Sequence, residues 1–214
     1  MQVKNKKTEQ AENTRWTLLT VAGELFAARG YAVVPLDEIV QRAELTKGAL
    51  YHHFGSKQEL FAAVLEHVLK ESVDRIRNLS LEKTGEKERN SWKRLLALTE
   101  LFLDSFQDRA VRQIVWVDGP AALGWGRWHA IVAKYARSEI QNIVAVIAQS
   151  GGFDVKLAGP LAQLFFGAVQ EMGLTIAHAK DQKAARAELG SALIWMLEEL
   201  VLRPVKKAPG KSRM

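Results

Sequence analysis

The chain has 214 residues, 48% of them hydrophobic and 25% charged, with a formal net charge of +6 and no cysteine. That composition is too apolar for a disordered chain and suits one compact unit or two small ones, and the missing thiols exclude disulfides and thiolate zinc sites. The polar start MQVKNKKTEQAENTR has no apolar signal core and no run approaches the roughly 18 apolar residues of a membrane span, so a soluble, cytoplasmic protein with no membrane partner is expected. The positive charge points to an anionic partner, yet residues 1–60 carry eight Lys or Arg against seven Asp or Glu. Five of the six surplus charges sit in the tail, on Arg203, Lys206, Lys207, Lys211 and Arg213. A nucleic-acid role must therefore rest on a few placed groups and not on bulk charge.

Residues 1–12 read as a polar, disordered arm. A first helix follows from Asn13 or Thr14, with Leu18, Leu19, Ala22, Leu25 and Phe26 on one stripe and Gly30 at its C′ stop. Pro35 can open a second helix at its first position, and Glu44-Leu45-Thr46 is a turn whose Thr46 caps a third helix over Lys47 to Phe54. Ile39, Val40, Ala43, Leu45, Leu50 and Phe54 close one small core. Lys47, Gly48, Ala49, Tyr51, His52 and His53 remain outside, a set of donors and aromatic rims sized for a major groove. Two short helices and a tight turn with such a face read as a helix-turn-helix.

Ser56-Lys57-Gln58-Glu59 fits the capping box of a fourth helix reaching to about Leu79, and 80–90 is a charged surface loop. Helical patterns then cover 91–106, 109–118, 128–149, 157–179 and 182–202, separated by breakers at Gly119-Pro120, Gly124, Gly126 and Ser150-Gly151-Gly152 and by the N-cap candidate Asp181. No segment has a convincing period of two, so the expected fold is all-α with about nine helices. Gly159, Ala162, Gly167, Ala168 and Gly173 keep the penultimate helix thin, and Leu189, Leu193, Met196, Leu197 and Leu200 stripe the last one. Doubled about a twofold axis, these two helices make a four-helix bundle and a homodimer, although the same stripe can also bury against its own domain. His67, His129 and His178 lack metal-ligand spacing, no catalytic cluster is present, and no cofactor or metal is expected.

The run TKGALYHHFGSK, with LLTVAGELFAARGY before it and an EL-F ending after it, resembles the tetracycline-repressor (TetR) family of transcriptional regulators over Arg15 to about Leu65. The remainder is similar to that family's variable effector domain in helix count and length. The resemblance implies a DNA-binding head over 13–56, an effector-binding and dimerisation domain over 57–203, and a basic disordered tail over 204–214. It implies DNA contacts from Thr46, Lys47, Gly48, Ala49, Tyr51, His52, His53 and Lys57, double-stranded palindromic operator DNA and a small-molecule effector as partners, and no enzyme activity. Two departures bear on this. Val34-Pro35 stands where relatives commonly carry a hydroxyl, and Glu44 stands in the turn where they often carry Gly, which implies a strained or altered turn. The aromatic gathering around Trp92, Trp116, Trp125 and Trp128 can leave room for an apolar or aromatic ligand, with Phe102, Phe106, Trp116, Trp128 and Phe166 as pocket candidates. The expected function is a ligand-responsive homodimeric repressor; a ligand-independent DNA-binding or nucleoid-type module is the alternative.

Overall fold

In the computed structural model, which describes residues 2–84, 91–149 and 153–202, the stripe of Leu18, Leu19, Ala22, Leu25 and Phe26 is buried along helix α1 (Gln2–Arg29). Arg15, Glu24 and Arg29 stay exposed on the opposite side. The helix starts at Gln2, where a disordered arm is expected. Gln, Lys, Glu and Ala are strong helix formers, and a stretch that extends an existing helix needs no nucleus of its own. Gly30 ends α1 with φ at +86°, its N–H donating to the Phe26 carbonyl at 2.8 Å.

Helices α2 (Leu36–Arg42) and α3 (Lys47–Phe54) form the turn motif. Pro35 is the extended residue before α2 and not its first helical residue. Glu44 is held at φ +55°, a left-handed conformation that costs a side-chain-bearing residue roughly 1–2 kcal/mol, so the turn is strained at the position where glycine is the easier choice. Helix α4 (Lys57–Thr84) continues past Leu79 because Ser80 is buried and donates its hydroxyl to the Arg77 carbonyl at 2.8 Å instead of opening a loop.

Beyond α5 (Ser91–Ser105), the expected break at Gly119-Pro120 does not occur. A π-helical segment, Val111–Asp118, passes directly into α6 (Gly119–Leu123), whose opening turn accommodates a proline that has no N–H to donate. Glycine is required at 119 for space: a Cβ there would lie 2.6 Å from Cδ1 of Trp128 and 3.0 Å from Cδ1 of Leu65. The chain turns instead at Gly124, φ +75°, and α7 (Trp125–Gln149) begins at once, with Gly126 inside it. After a single 3-10 turn come α8 (Ala158–His178) and α9 (Gln182–Leu202), the latter capped by Asp181, which accepts the Ala184 N–H at 2.9 Å. The described residues contain no strand, and none of their helices is long and apolar enough to cross a membrane. The basic tail over 204–214, the loop residues 85–90 and the Ser150-Gly151-Gly152 stop lie outside the described residues.

The helices gather into two compact units. The first comprises residues 1–76 together with 104–135, and the second comprises 77–103 with 136–214, so the division falls inside α4 and α7. In the first unit Phe26, Tyr31 and Phe61 form an aromatic knot with centroids 4.7 to 5.7 Å apart, and α1 packs on both the turn motif and the π-helical segment. In the second, Phe166, Ile176, Leu193 and Leu197 are buried where α8 and α9 pack together. Two residues of the leucine stripe expected at a partner interface are thus spent inside the unit. What α8 and α9 leave open elsewhere includes Leu164 at 69% and Trp195 at 64% exposure, with Gly159 and Gly167 opening onto unfilled space.

Candidate nucleic-acid interface

The eight residues of α3 are anchored from below. Leu50 and Phe54 are buried, the Thr46 hydroxyl accepts the Ala49 N–H at 3.1 Å, and the Arg15 guanidinium of α1 lies 4.9 Å from the Phe54 ring. A helix this short has little stability alone, so its orientation is set by that packing. Lys47, Gly48, Tyr51 and His52 project outward as exposed residues, while Ala49 and His53 are half-buried. The two imidazoles sit edge to face with centroids 5.3 Å apart. A Cβ at Gly48 would meet only the Thr46 hydroxyl, at 3.7 Å, so the backbone there is open to close approach by a flat surface such as a base edge. Gly48, Ala49, His52 and His53 also line a groove whose other wall is Gln10, Ala11 and Thr14 of α1. The extension of α1 therefore borders the reading face, which the arm expected over 1–12 gave no reason to anticipate.

The two lysines are held differently. Lys47 pairs with Asp37 at 2.5 Å, and the hydrogen bond to that carboxylate raises its pKa, so it stays charged; both side chains are exposed and the pair is free to exchange for a phosphate. Lys57 is turned inward. Its ammonium donates to the Tyr31 carbonyl at 2.7 Å and lies 4.4 Å from the Tyr31 ring centroid. Burial lowers its pKa, and the negative charge of Asp118 opposes that effect. In this position Lys57 braces the turn after α1; the side chain is half-buried, and this bond uses one of the three hydrogens of its ammonium.

Asp118 was not visible as a functional candidate in the sequence. Its carboxylate accepts the Tyr31 N–H at 2.8 Å and the Gln113 side-chain amide at 3.1 Å, tying the end of the π-helical segment to the stop of α1. Further ties join the same pieces. Arg109 donates to the Ala28 carbonyl, Gln58 to the Ala122 carbonyl at 2.6 Å, and Arg127 makes a two-pronged contact with Glu59 at 2.7 and 2.6 Å that depresses the Glu59 pKa. Only half of the capping box forms as a result: the Ser56 hydroxyl accepts the Glu59 N–H at 3.1 Å, and the Glu59 carboxylate goes to Arg127. Residues 109–127 are thus fastened to α1, the turn after it, and the start of α4 within the first unit. Asp118→Ala is expected to cost about 1–3 kcal/mol, because it strips a partly buried N–H of its acceptor, and denaturant unfolding of the two proteins measures it.

The five aromatic pocket candidates separate. Phe106, Trp116 and Trp128 belong to the first unit, where the Phe106–Trp116 and Trp116–Trp128 centroids are 5.6 and 5.7 Å apart. Phe102 and Phe166 belong to the second. Of the histidines set aside as metal ligands, His67 stands edge-on to Trp16 at 4.8 Å, His129 leans on Trp125 at 6.0 Å, and His178 uses Nδ1 on the Leu174 carbonyl at 2.8 Å.

The family model described as bacterial regulatory proteins of the tetR family matches residues 18–64, and the tetracyclin repressor-like C-terminal domain matches residues 92–200. The transposon Tn10 TetC protein of Escherichia coli is 28% identical over 183 residues, which cover 86% of this chain and 88% of that protein. The crystal structure of a TetR-family transcriptional regulator from Pectobacterium atrosepticum superposes with a TM-score of 0.77 at 30% identity, covering 92% of this chain and 98% of that one. The transcriptional regulator FadR of Bacillus subtilis, in complex with stearoyl-CoA, shares the fold at a TM-score of 0.63 and 20% identity, over 87% of this chain and 97% of its own.

Proposed function

Because the chain belongs to the TetR family of bacterial transcriptional regulators, we propose that it is a cytoplasmic homodimeric repressor that releases a palindromic operator when a small apolar or aromatic molecule binds its C-terminal part. The observation that carries the DNA reading is the outward set of Lys47, Gly48, Tyr51 and His52 on a helix whose other side, Leu50 and Phe54, is locked in the core. Thr46, Ala49, His53 and Lys57 complete the contact surface, with Tyr51 and His53 suited to phosphate oxygens, Lys47 to a phosphate or guanine edge, Ala49 to a thymine methyl, and Lys57 as a further cation at the start of α4. The face has no Arg, Asn or Gln, so sequence preference leans on the shape and deformability of the duplex. One such helix binds weakly; two on a rigid dimer read two half-sites. The exposed Leu164 of α8 and Trp195 of α9 support that pairing.

Effector control fits the architecture. Both α4 and α7 run unbroken from the unit that holds the reading helices into the other. A ligand that prefers one arrangement of the second unit then shifts the spacing of the two recognition helices, and ligand and operator oppose each other through one equilibrium. The complex of Bacillus subtilis FadR with stearoyl-CoA supports the reading that a regulator with this fold takes a small molecule. Within this reading Phe102 and Phe166 are the better-placed effector contacts, since Phe106, Trp116 and Trp128 build the core of the unit that carries the head.

The test begins with selection of an operator from random duplexes by the purified protein, followed by anisotropy titrations. Tyr51→Ala is expected to weaken operator binding by about tenfold or more, and Lys47→Ala to weaken all sequences alike while lowering the slope of log affinity against log salt by about one. Equal affinity for wild type and Tyr51→Ala would remove the reading face from the argument. Failure to select any preferred sequence, with a steep salt dependence, would favour the nucleoid-type alternative.

A further inference from the structure

Inside the second unit, a cluster of hydrogen-bond donors lacks acceptors. Gln170 of α8 is only 5% exposed, and its side-chain Nε2 has no hydrogen-bond partner. A buried amide N–H left bare is costly enough that folded proteins rarely keep one without a use for it. One helical turn earlier on the same face lies Phe166, 1% exposed, with the guanidinium of Arg137 stationed 5.1 Å from its ring centroid. The Nε of Arg137 is likewise buried and bare, and among the described residues no carboxylate pairs with Arg137. Arg186 of this unit also has a buried, bare Nε, but its guanidinium meets Glu100 at 3.0 Å, and Arg77 pairs with Glu139. Arg137 lacks such a carboxylate. Among the described residues this leaves a cation beside an aromatic ring and an amide donor one turn along from that ring, with no acceptor for the Arg137 Nε or Gln170 Nε2 hydrogens.

We propose that Arg137, Phe166 and Gln170 hold the polar end of the effector, and that the effector is a small carboxylate with an aromatic or aliphatic body. A carboxylate offers acceptors only, so it satisfies both donors and neutralises the cation, whereas an alcohol or amine brings a hydrogen that neither donor can use. The body of the molecule lies against Phe166 and its apolar neighbours. This assignment rests on the effector-responsive reading above and narrows it to a chemical class. Of the three residues, only Phe166 was a candidate from the sequence; a lone Arg and a lone Gln on amphipathic helices look like solvated side chains until their burial is known.

The experiment uses the full-length protein without DNA and a panel of benzoate, salicylate, octanoate and decanoate, each set against its primary alcohol and amide. Calorimetry and thermal unfolding should find at least one carboxylate that binds and raises the melting temperature, with its alcohol about tenfold weaker or worse. Gln170→Leu and Arg137→Met should each weaken that carboxylate by about tenfold or more, Gln170→Glu should abolish binding, and Arg137→Lys should recover part of the loss. Without ligand, Gln170→Leu should melt no lower than wild type, since it removes an unpaired group; a marked drop would mean that the amide is held by buried water, and the assignment falls. It also falls if no carboxylate binds, if the alcohols bind equally, or if the variants bind unchanged. Operator release separates the two readings. Neutral compounds that bind and release DNA while carboxylates do not would overturn this inference and leave effector control standing, and carboxylates that bind at this site but leave the operator bound would do the reverse.

Discussion

Trp128→Ala is expected to destabilise the protein by roughly 3–5 kcal/mol, lowering the melting temperature by about 6–20 °C for a chain of this size. The indole is fully buried, and its N–H donates to the Val115 carbonyl at 2.7 Å. Truncation therefore removes a large apolar surface, leaves a cavity against Trp116 and Gly119, and orphans a buried carbonyl. Since whole domains are stable by only about 5–15 kcal/mol, such a loss is a large share of the total. Trp128→Phe separates the contributions: it keeps most of the ring and forfeits the hydrogen bond, so about 1–3 kcal/mol of the loss should remain. Trp125, which is 58% exposed and 5.0 Å from Trp128 by ring centroid, serves as the control, and Trp125→Ala should cost far less. Urea unfolding followed by circular dichroism reads all three. A cost below about 1 kcal/mol for Trp128→Ala would mean that the site collapses around the missing ring and that this aromatic chain does not support the head.

The second large effect concerns assembly. Leu164→Glu combined with Trp195→Glu should convert the proposed homodimer into particles of 23.9 kDa, seen by light scattering on a sizing column. Leu164 of α8 and Trp195 of α9 are large apolar side chains with more than half of their surface in water, and Gly167, one turn from Leu164, leaves space beside it, so each is a position that a second copy can cover. Placing a carboxylate at each position buries two charges per protomer if the face is covered, and that penalty exceeds what apolar contact returns. Operator affinity should fall by about a hundredfold or more, because the second recognition helix no longer binds at high effective concentration, while the helical circular-dichroism signal stays at the wild-type level. Leu193→Ala offers the contrast. That side chain is 6% exposed inside its own unit, so its loss should lower stability and leave the oligomeric state alone. A dimer that survives both glutamates would place the pairing surface elsewhere.

The two predictions fall on opposite sides of what the amino-acid order discloses. Thr46, Leu50, Phe54, Gly30 and Asp181 were legible because each acts on neighbours within four residues: a cap, a stripe, a stop. The same locality made the all-α class, the turn motif and the outward face of α3 readable, while the strained or altered turn at Glu44 was legible only as a departure from the family resemblance. It misled at Gly119-Pro120, where a local breaker signal was overruled by a close approach to Trp128, and at Leu193 and Leu197, where periodicity marked a buried stripe but not which neighbour buries it.

Sequence by itself determined the elements and the reading helix, because helix periodicity and capping are interactions along one strand of chain. Tertiary structure alone decided that residues 104–135 share a unit with the head, through contacts such as Asp118 to Tyr31 and Arg127 to Glu59 that join residues 87 and 68 positions apart. It also decided that Lys57 donates to the Tyr31 carbonyl, that Trp195 and not Leu193 or Leu197 is exposed, and that Gln170 Nε2 and Arg137 Nε are left without acceptors among the described residues. Which distant partner meets a side chain depends on how helices pack as solids, and no spacing along the chain encodes that choice.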